Sequence, residues 1–378
     1  MREWETKEDK KSLETVNQHF IKETIEEDRE RTSISAQELL YKNLPPCKYF
    51  VDNLIPEGAM VLAGASKSGK SWLILDLCIA IAKGGYFLDH KCNKADVIYY
   101  SLEDNLRRLQ DRLKTVLRGE EAPSNLEFRL EIQRFDEGLL DVLRYRIDEN
   151  PQLGLIVIDT MHFIKPKGIT SKNEYDSVYK VLGDIANLAR EKHIAIILVH
   201  HTKKSNGFIT DPFENILGTT AIQGAVDTIA ILKRDLEAKD EGELHIKGKD
   251  VEQQELSLRF VNCIWRNEGD LELKKQRKIE EAYNSHPAII TLKKKLEQIQ
   301  QDDNEPIKEY ITTMKGFRND VIEVTGELVG SSERKFAEII RDYETLLLRD
   351  GIKHIEPTSN TTYKGITARF HRYTYIRK

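Results

Sequence analysis

Gly64-Ala65-Ser66-Lys67-Ser68-Gly69-Lys70-Ser71 fits the pattern G-x-x-x-x-G-K-[ST], and the residues on either side of it decide the fold. Just upstream, Ala59–Ala63 is a short apolar run, the mark of a buried strand. Just downstream, Ser71–Lys83 has helical spacing and stops at Gly84-Gly85, a good helix C-cap. A glycine-rich loop between a strand and a helix aims successive backbone N–H groups at phosphate oxygens, because glycine reaches backbone angles that other residues avoid. The positive N-terminal end of the helix faces the same point. In such a loop Lys70 reaches the β- and γ-phosphates and the Ser71 hydroxyl is placed for Mg²⁺. The expected ligands are therefore ATP and Mg²⁺, held by Gly64, Ala65, Ser66, Lys67, Ser68, Gly69, Lys70, Ser71 and Trp72.

Outward from this loop, strands and helices alternate between Phe50 and about Phe260. The spacing predicts strands at Asp96–Ser101, Leu126–Arg134, Leu155–Asp159, Ile194–His200, Thr228–Lys233, Gly242–Lys249 and Leu256–Val261. It predicts helices at Asn105–Arg118, Leu140–Asn150 and Tyr175–Lys192. Alternation of this kind calls for a doubly wound α/β sheet, mostly parallel, with helices on both faces and an antiparallel extension at one edge. Leu155–Asp159 is almost wholly apolar, as a central parallel strand covered on both faces must be.

Leu155-Ile156-Val157-Ile158-Asp159-Thr160 fits a Walker B strand, which delivers Asp159 to the same sheet edge as the loop, where it holds Mg²⁺ through water. Hydrolysis also needs a group that orients or deprotonates water. Glu103, in Tyr99-Tyr100-Ser101-Leu102-Glu103-Asp104, closes a neighbouring strand and is the preferred base. Asp104 is its rival, and is otherwise read as the N-cap of the next helix. In Val199-His200-His201-Thr202-Lys203-Lys204, His200 is the candidate γ-phosphate sensor, on the ground that it ends its strand. The adjacency of His200 and His201 does not match a helical zinc pair. Of Lys247 and Lys249, one is a candidate finger reaching the site of an adjacent subunit, with a solvated strand face as the plain alternative.

Composition bounds the rest. The chain has 378 residues, 39% hydrophobic and 32% charged, the balance of a globular protein with a charged surface. A formal net charge of -5 argues against a uniformly basic nucleic-acid coat but leaves room for a local basic groove. Cys47, Cys78, Cys92 and Cys263 form no Cys-x-x-Cys pair, and such scattered thiols fit a reducing cytoplasm. Met1–Lys11 lacks the apolar centre of a signal peptide, and no apolar run reaches the roughly 18 residues of a membrane span.

Several motifs in register resemble the AAA_25 family of RecA-like ATPases, which includes RepA-type replication helicases. They are Val51–Gly58, Gly64–Trp72, Ser101-Leu102-Glu103-Asp104 with Arg107, Arg108 and Arg112, Ile158-Asp159, His200–Lys203, Gly218–Asp227 and Lys249–Leu256. The resemblance covers Ser33–Phe260. It implies a ring-forming ATPase with its site at subunit interfaces, Glu103 as catalytic base and His200 as γ-phosphate sensor. It also implies DNA, single-stranded by expectation, in a central channel lined by Met161–Asn173 and Thr202–Thr220, which carry Lys165, Lys167, Lys172, Lys203 and Lys204. One departure concerns the finger: the resemblance implies an arginine near the stretch that ends here at Asp227, and Asp cannot do that work, so vigorous unwinding is expected only if Lys249 substitutes.

The expected organisation is a charged arm over 1–32, a RecA-like P-loop domain over 33–270, a polar linker over 271–306 with helical stretches at Lys274–Glu281 and Thr291–Gln301, and a small winged-helix-like domain over 307–378. In the last, Arg334–Arg349 reads as one helix with an apolar stripe, and Tyr363–Lys378 as an acid-free basic β-wing. The whole reads as a DNA-dependent ATPase motor, helicase-like, for replication of a plasmid, phage or mobile element. The alternative is a nucleotide-switched assembly protein that does not unwind.

Overall fold

The computed structural model describes residues 33–167, 174–202, 213, 219–234, 240–302 and 307–376. The charged arm over 1–32 lies outside them, as do Lys172, Lys203 and Lys204. The chain divides into two units, Met1–Lys48 and Tyr49–Lys378. In the first, Ala36–Tyr41 is a helix closed by a capping box between Ser35 and Glu38.

The second unit is built on a nine-stranded sheet. Its strands are β1 (Gly58–Gly64), β2 (Asp96–Ser101), β3 (Leu126–Arg129), β4 (Leu153–Asp159), β5 (Ala195–His201), β6 (Thr228–Arg234), β7 (Glu241–Gly248), β8 (Gln254–Val261) and β9 (Ile264–Asp270). The order across the sheet is β9-β8-β7-β6-β1-β5-β4-β2-β3. All neighbours from β6 to β3 run parallel, and β6 to β9 pair antiparallel. The sequence reading of a mostly parallel sheet with an antiparallel edge therefore stands, extended by β9. Helices α1 (Lys70–Lys83), α2 (Leu106–Leu117), α3 (Leu139–Glu149), α4 (Glu174–Glu191) and α5 (Thr219–Ala225) complete the layers.

Two apolar cores explain why the central strands read as unbroken hydrophobic runs. Leu62, Leu155, Val157 and Ile197 face one core with Ile74, Leu77 and Ile81 of α1. Val61, Ile156, Ile158 and Leu198 face the other with Leu143 of α3 and Leu182 and Ile185 of α4. Side chains alternate across a strand, so β1, β4 and β5 need apolar residues at every position.

The helical stretches expected in the linker over 271–306 are longer than read, α6 (Leu271–Ser285) and α7 (Pro287–Gln301), and they do not form a free linker. Their surface is polar enough to read as a linker, yet Tyr283, Ala288, Ile289, Leu292 and Leu296 lie in a third core, with Phe317, Phe336, Leu347, Ile352 and Tyr373. Helix α6 begins on the large sheet, where the Lys274 ammonium donates to Ser257 Oγ at 2.9 Å, and ends in that third core. The C-terminal unit continues with β10 (Tyr310–Thr312), α8 (Met314–Thr325), α9 (Glu333–Asp342), α10 (Glu344–Arg349) and β11 (Ile352–Ile355). It ends with β12 (Thr361–Tyr363), β13 (Ile366–Ala368) and β14 (His371–Tyr375). The single helix expected over Arg334–Arg349 is broken at Tyr343, and the segment read as one wing splits into the β12–β13 hairpin and β14, which sits between β10 and β11. No described helix is long and apolar enough to cross a membrane.

Candidate nucleotide site

The C-terminal edge of the parallel strands collects the site. Gly64 at the end of β1 pairs with His201 of β5, Asp159 of β4 pairs with Val199, and Ser101 of β2 pairs with Asp159. Four adjacent strands, β1, β5, β4 and β2, thus deliver their C-terminal ends to one rim, where ligands of open α/β sheets bind.

The loop from Gly64 to Ser71 turns sharply, with Lys67 at φ 63° and Gly69 at φ 96°. Glycine is required at 69: a Cβ there would lie 2.9 Å from Trp265 Nε1. Lys70 is 4% exposed, and its ammonium donates to Gly64 O at 2.7 Å and Ala65 O at 2.9 Å. Burial lowers its pKa to about 8, against the pull of Asp159 and Glu103. Ser68 is buried and its Oγ has no hydrogen-bond partner among the described residues. A buried hydroxyl facing a nest of backbone N–H groups fits a phosphate oxygen as acceptor.

Ser71 Oγ donates to Asp159 Oδ2 at 2.9 Å, and Tyr99 OH donates to the same oxygen at 3.0 Å. Burial raises the Asp159 pKa, and these two hydrogen bonds oppose the rise. A hydroxyl and a carboxylate in contact beside the loop are the donor set that suits Mg²⁺ with its retained waters. The residues present therefore fit both ATP and the metal.

Glu103 is half-exposed, and its Oε1 lies 3.5 Å from His201 Nε2 and accepts from Thr160 Oγ1 at 3.3 Å. His201 also places Nδ1 3.2 Å from Lys70 Nζ. One imidazole thus bridges the loop lysine and the candidate base. The expectation of His200 rests on its ending the strand, but β5 runs one residue further, to His201. Because side chains alternate along a strand, the residue touching the loop is His201, and His200 faces the other way.

Asp104 is not the helix cap. Asn105 caps α2, accepting from the Arg108 N–H at 2.9 Å. The Asp104 side chain is 6% exposed, ion-paired with Arg108 at 3.0 Å and with Arg112. Arg112 in turn lies over the Trp72 ring, 5.4 Å from its centre. Trp72 thus supports the segment that carries Glu103.

Lys249 sits at the other end of the sheet from its own loop. Gly248 pairs with Thr228, which pairs with Met60 near the start of β1. At about 3.3 Å per residue, that is more than about 10 Å from Gly64. Its ammonium pairs with Asp227 Oδ1 at 3.1 Å, and Asp227 also accepts from Ala59 N–H at 3.0 Å and from Arg190 at 2.5 Å. Asp227 is a buried clamp on the foot of β1. Of the channel lysines that are described, Lys167 pairs with Glu137 at 2.5 Å.

Sequence reading missed Trp265. It is fully buried in β9, donates from its indole N–H to Gly69 O at 3.3 Å, and carries Phe260 and Arg234 against it. No motif signals it, since its contact with the loop arises only when the antiparallel edge folds back.

A strand–loop–helix phosphate cradle, a paired Ser and Asp for a metal, and a carboxylate at the same rim define a P-loop nucleotide-binding domain. Residues 26–207, a little under half of the chain, match the family model AAA_25, an AAA domain, and the P-loop site lies within the matched stretch. Two solved structures align with it. One is the ATPase domain of another protein, 16% identical, covering 56% of this chain and 85% of that one at a TM-score of 0.46. The other is a DnaB-like replicative helicase described with its interactions with primase, 16% identical, covering 68% and 73% at a TM-score of 0.45. No curated protein matches the chain.

Proposed function

We propose that this chain hydrolyses ATP and uses the cycle to move or remodel DNA, single-stranded DNA first, as a helicase-like ring ATPase in replication. The observation that carries the reading is the position of Glu103. Its carboxylate stands at the rim beside Lys70, His201 and Asp159, where a water in line with a γ-phosphate would lie. A loop that only bound nucleotide would need no half-exposed carboxylate there.

In this reading the backbone N–H groups of 65–70 and the Lys70 ammonium hold the phosphates. Ser71 and Asp159 hold Mg²⁺, which neutralises charge on the β- and γ-oxygens. Glu103 takes a proton from water, and His201 links its state to Lys70. Lys249, more than half exposed and far from its own loop, acts on a neighbour's site. The C-terminal unit, with helices α8 and α9 followed by β11, the β12–β13 hairpin and β14, is a winged-helix-like module.

The test is phosphate release with and without single-stranded DNA, paired with mass measurement in both states. DNA-stimulated turnover and an ATP-dependent ring support the reading. A second reading, a nucleotide-switched assembly protein, is favoured by one observation: Lys249 is already paired with Asp227 in its own chain. Tight ATP binding with turnover indifferent to DNA would select it.

A further inference from the structure

The helices and strands of the C-terminal unit differ in charge. Helix α9, Glu333–Asp342, carries Arg334, Lys335 and Arg341 against Glu333, Glu338 and Asp342, so it has no net charge. All three of its cations are engaged: Arg334 with Glu338 at 3.2 Å, Lys335 with Glu338 at 2.9 Å, and Arg341 with Glu356 at 2.7 Å. Exposed pairs of this kind are weak, but a helix with no net charge and its cations engaged offers phosphate no net attraction.

The strands differ. From Pro357 to Ile376 there is no carboxylate, and the stretch holds Lys364, Arg369 and Arg372. Lys364 is exposed at the tip of the β12–β13 hairpin, where its φ of 46° and the 78° of Gly365 make the tight turn. Arg369 is exposed, and no described carboxylate lies within ion-pair reach of it or of Lys364. Arg372 is opposite Ile355 on β11, so it shares a sheet face with Lys353, and its only described carboxylate neighbour is Glu309 at 3.9 Å. Thr362 and Thr367 add hydroxyls on the hairpin, bonded to each other at 2.7 Å.

We infer that the β12–β13 hairpin and the adjoining β14 face grip the phosphate backbone of duplex DNA, with α9 held away from the base edges, so that the contact is independent of sequence. The inference rests on the winged-helix reading. Its chemistry is phosphate to Lys and Arg, with threonine hydroxyls as secondary donors. The exposed Ile366 beside Lys364 packs on the sugar rim of a groove.

The experiment measures duplex binding by the full chain across a salt series, together with DNA-stimulated ATP hydrolysis. The hairpin variant is Lys364→Ala with Arg369→Ala and Arg372→Ala, and the helix variant is Arg334→Ala with Lys335→Ala. The slope of log affinity against log salt is about −0.9 per phosphate contact on a duplex. The hairpin variant is expected to flatten that slope by about 2 to 3 and weaken binding at least about tenfold. The helix variant is expected to change affinity less than about twofold, and duplexes of unrelated sequence to bind alike. Lys364→Glu, a single exposed change, should reproduce most of the loss without touching the fold. Loss with the helix variant alone, or a strong sequence preference, overturns the inference. Unchanged duplex binding in every variant also overturns it and points to protein docking. Stimulation by single-stranded DNA reads the ATPase hypothesis separately: its absence with an intact hairpin effect would sink that reading and leave this one standing.

Discussion

Arg112 on α2 pairs with Asp104, the residue after the candidate base Glu103, while its guanidinium lies over Trp72, the residue after Ser71. The strand end that carries Glu103 is thereby fastened to the first turn of the phosphate-loop helix. Two adjacent carboxylates have opposite surroundings. Asp104 is buried in ion pairs, and Glu103 is half-exposed at the rim.

Glu103→Gln is expected to keep ATP affinity and lower turnover by about 10² to 10⁴, since the amide keeps the shape but takes no proton. Asp104→Asn keeps one hydrogen bond to Arg112 and loses the charge pairing, so turnover should fall only about tenfold, with the loop loosened. Steady-state hydrolysis beside equilibrium nucleotide binding checks both. Normal turnover in Glu103→Gln with a dead Asp104→Asn would show that the roles are reversed.

Lys70 titrates at about 8 in the folded chain because burial disfavours its charge. Phosphates restore the charge, so ATP binding should take up a proton above about pH 8 and none well below it. Affinity should then fall as pH rises through that value. Calorimetry in two buffers of different ionisation enthalpy, one pair of runs on each side of that value, reads the uptake directly. Lys70→Ala should abolish binding, and a variant with unchanged affinity would contradict the phosphate-loop assignment.

The loop, the strands under it and their parallel order were legible because each rests on a local signal: glycine spacing, unbroken apolar runs, and strand–helix alternation. The finer placements were not. His201 replaced His200 at the rim because one residue of strand length reverses which side chain faces the loop. Asn105 took the cap from Asp104 because arginines one and two turns along the helix claimed the latter. Trp265 could not be seen because it reaches Gly69 across 196 positions of sequence. The helices α6 and α7 read as linker because their surfaces are polar, although Leu292 and Leu296 are wholly buried.

Asp227 and Lys249 separate stability from catalysis. Asp227→Ala leaves the buried Ala59 N–H without its acceptor and frees two cations, so it should cost about 2 to 4 kcal/mol. Lys249→Ala removes an ammonium that is 58% exposed, so stability should change by less than about 1 kcal/mol. If Lys249 serves a neighbour's site, turnover at ring-forming concentrations should nevertheless fall by about 10³. Denaturant melts and hydrolysis rates on the two variants distinguish the cases. A large stability loss in Lys249→Ala with full turnover would make it a structural residue and return the finger to another side chain.

The C-terminal unit should weaken in mild acid. His371 of β14 is buried, its Nδ1 lies 3.0 Å from His354 Nε2 on β11, and the His354 ring stacks on Tyr373. Burial, and then the neighbouring His354, push the His371 pKa down to about 4, and burial also lowers that of His354. Glu356 pulls upward on both and Arg341 downward. In the unfolded chain a histidine titrates near 6.5, so between about pH 4 and 6.5 the unfolded state binds more protons than the folded one. Stability is then complete above about pH 6.5 and falls as pH drops toward 4. The limiting slope is about 1.4 kcal/mol per pH unit for each proton taken up. His371→Leu removes one of the two titrations and should flatten that slope. Urea melts at about pH 7, 6 and 5, followed by a probe in the C-terminal unit, give the measurement. A melt independent of pH over that range, or a slope unchanged by His371→Leu, would show that the pair is already solvated.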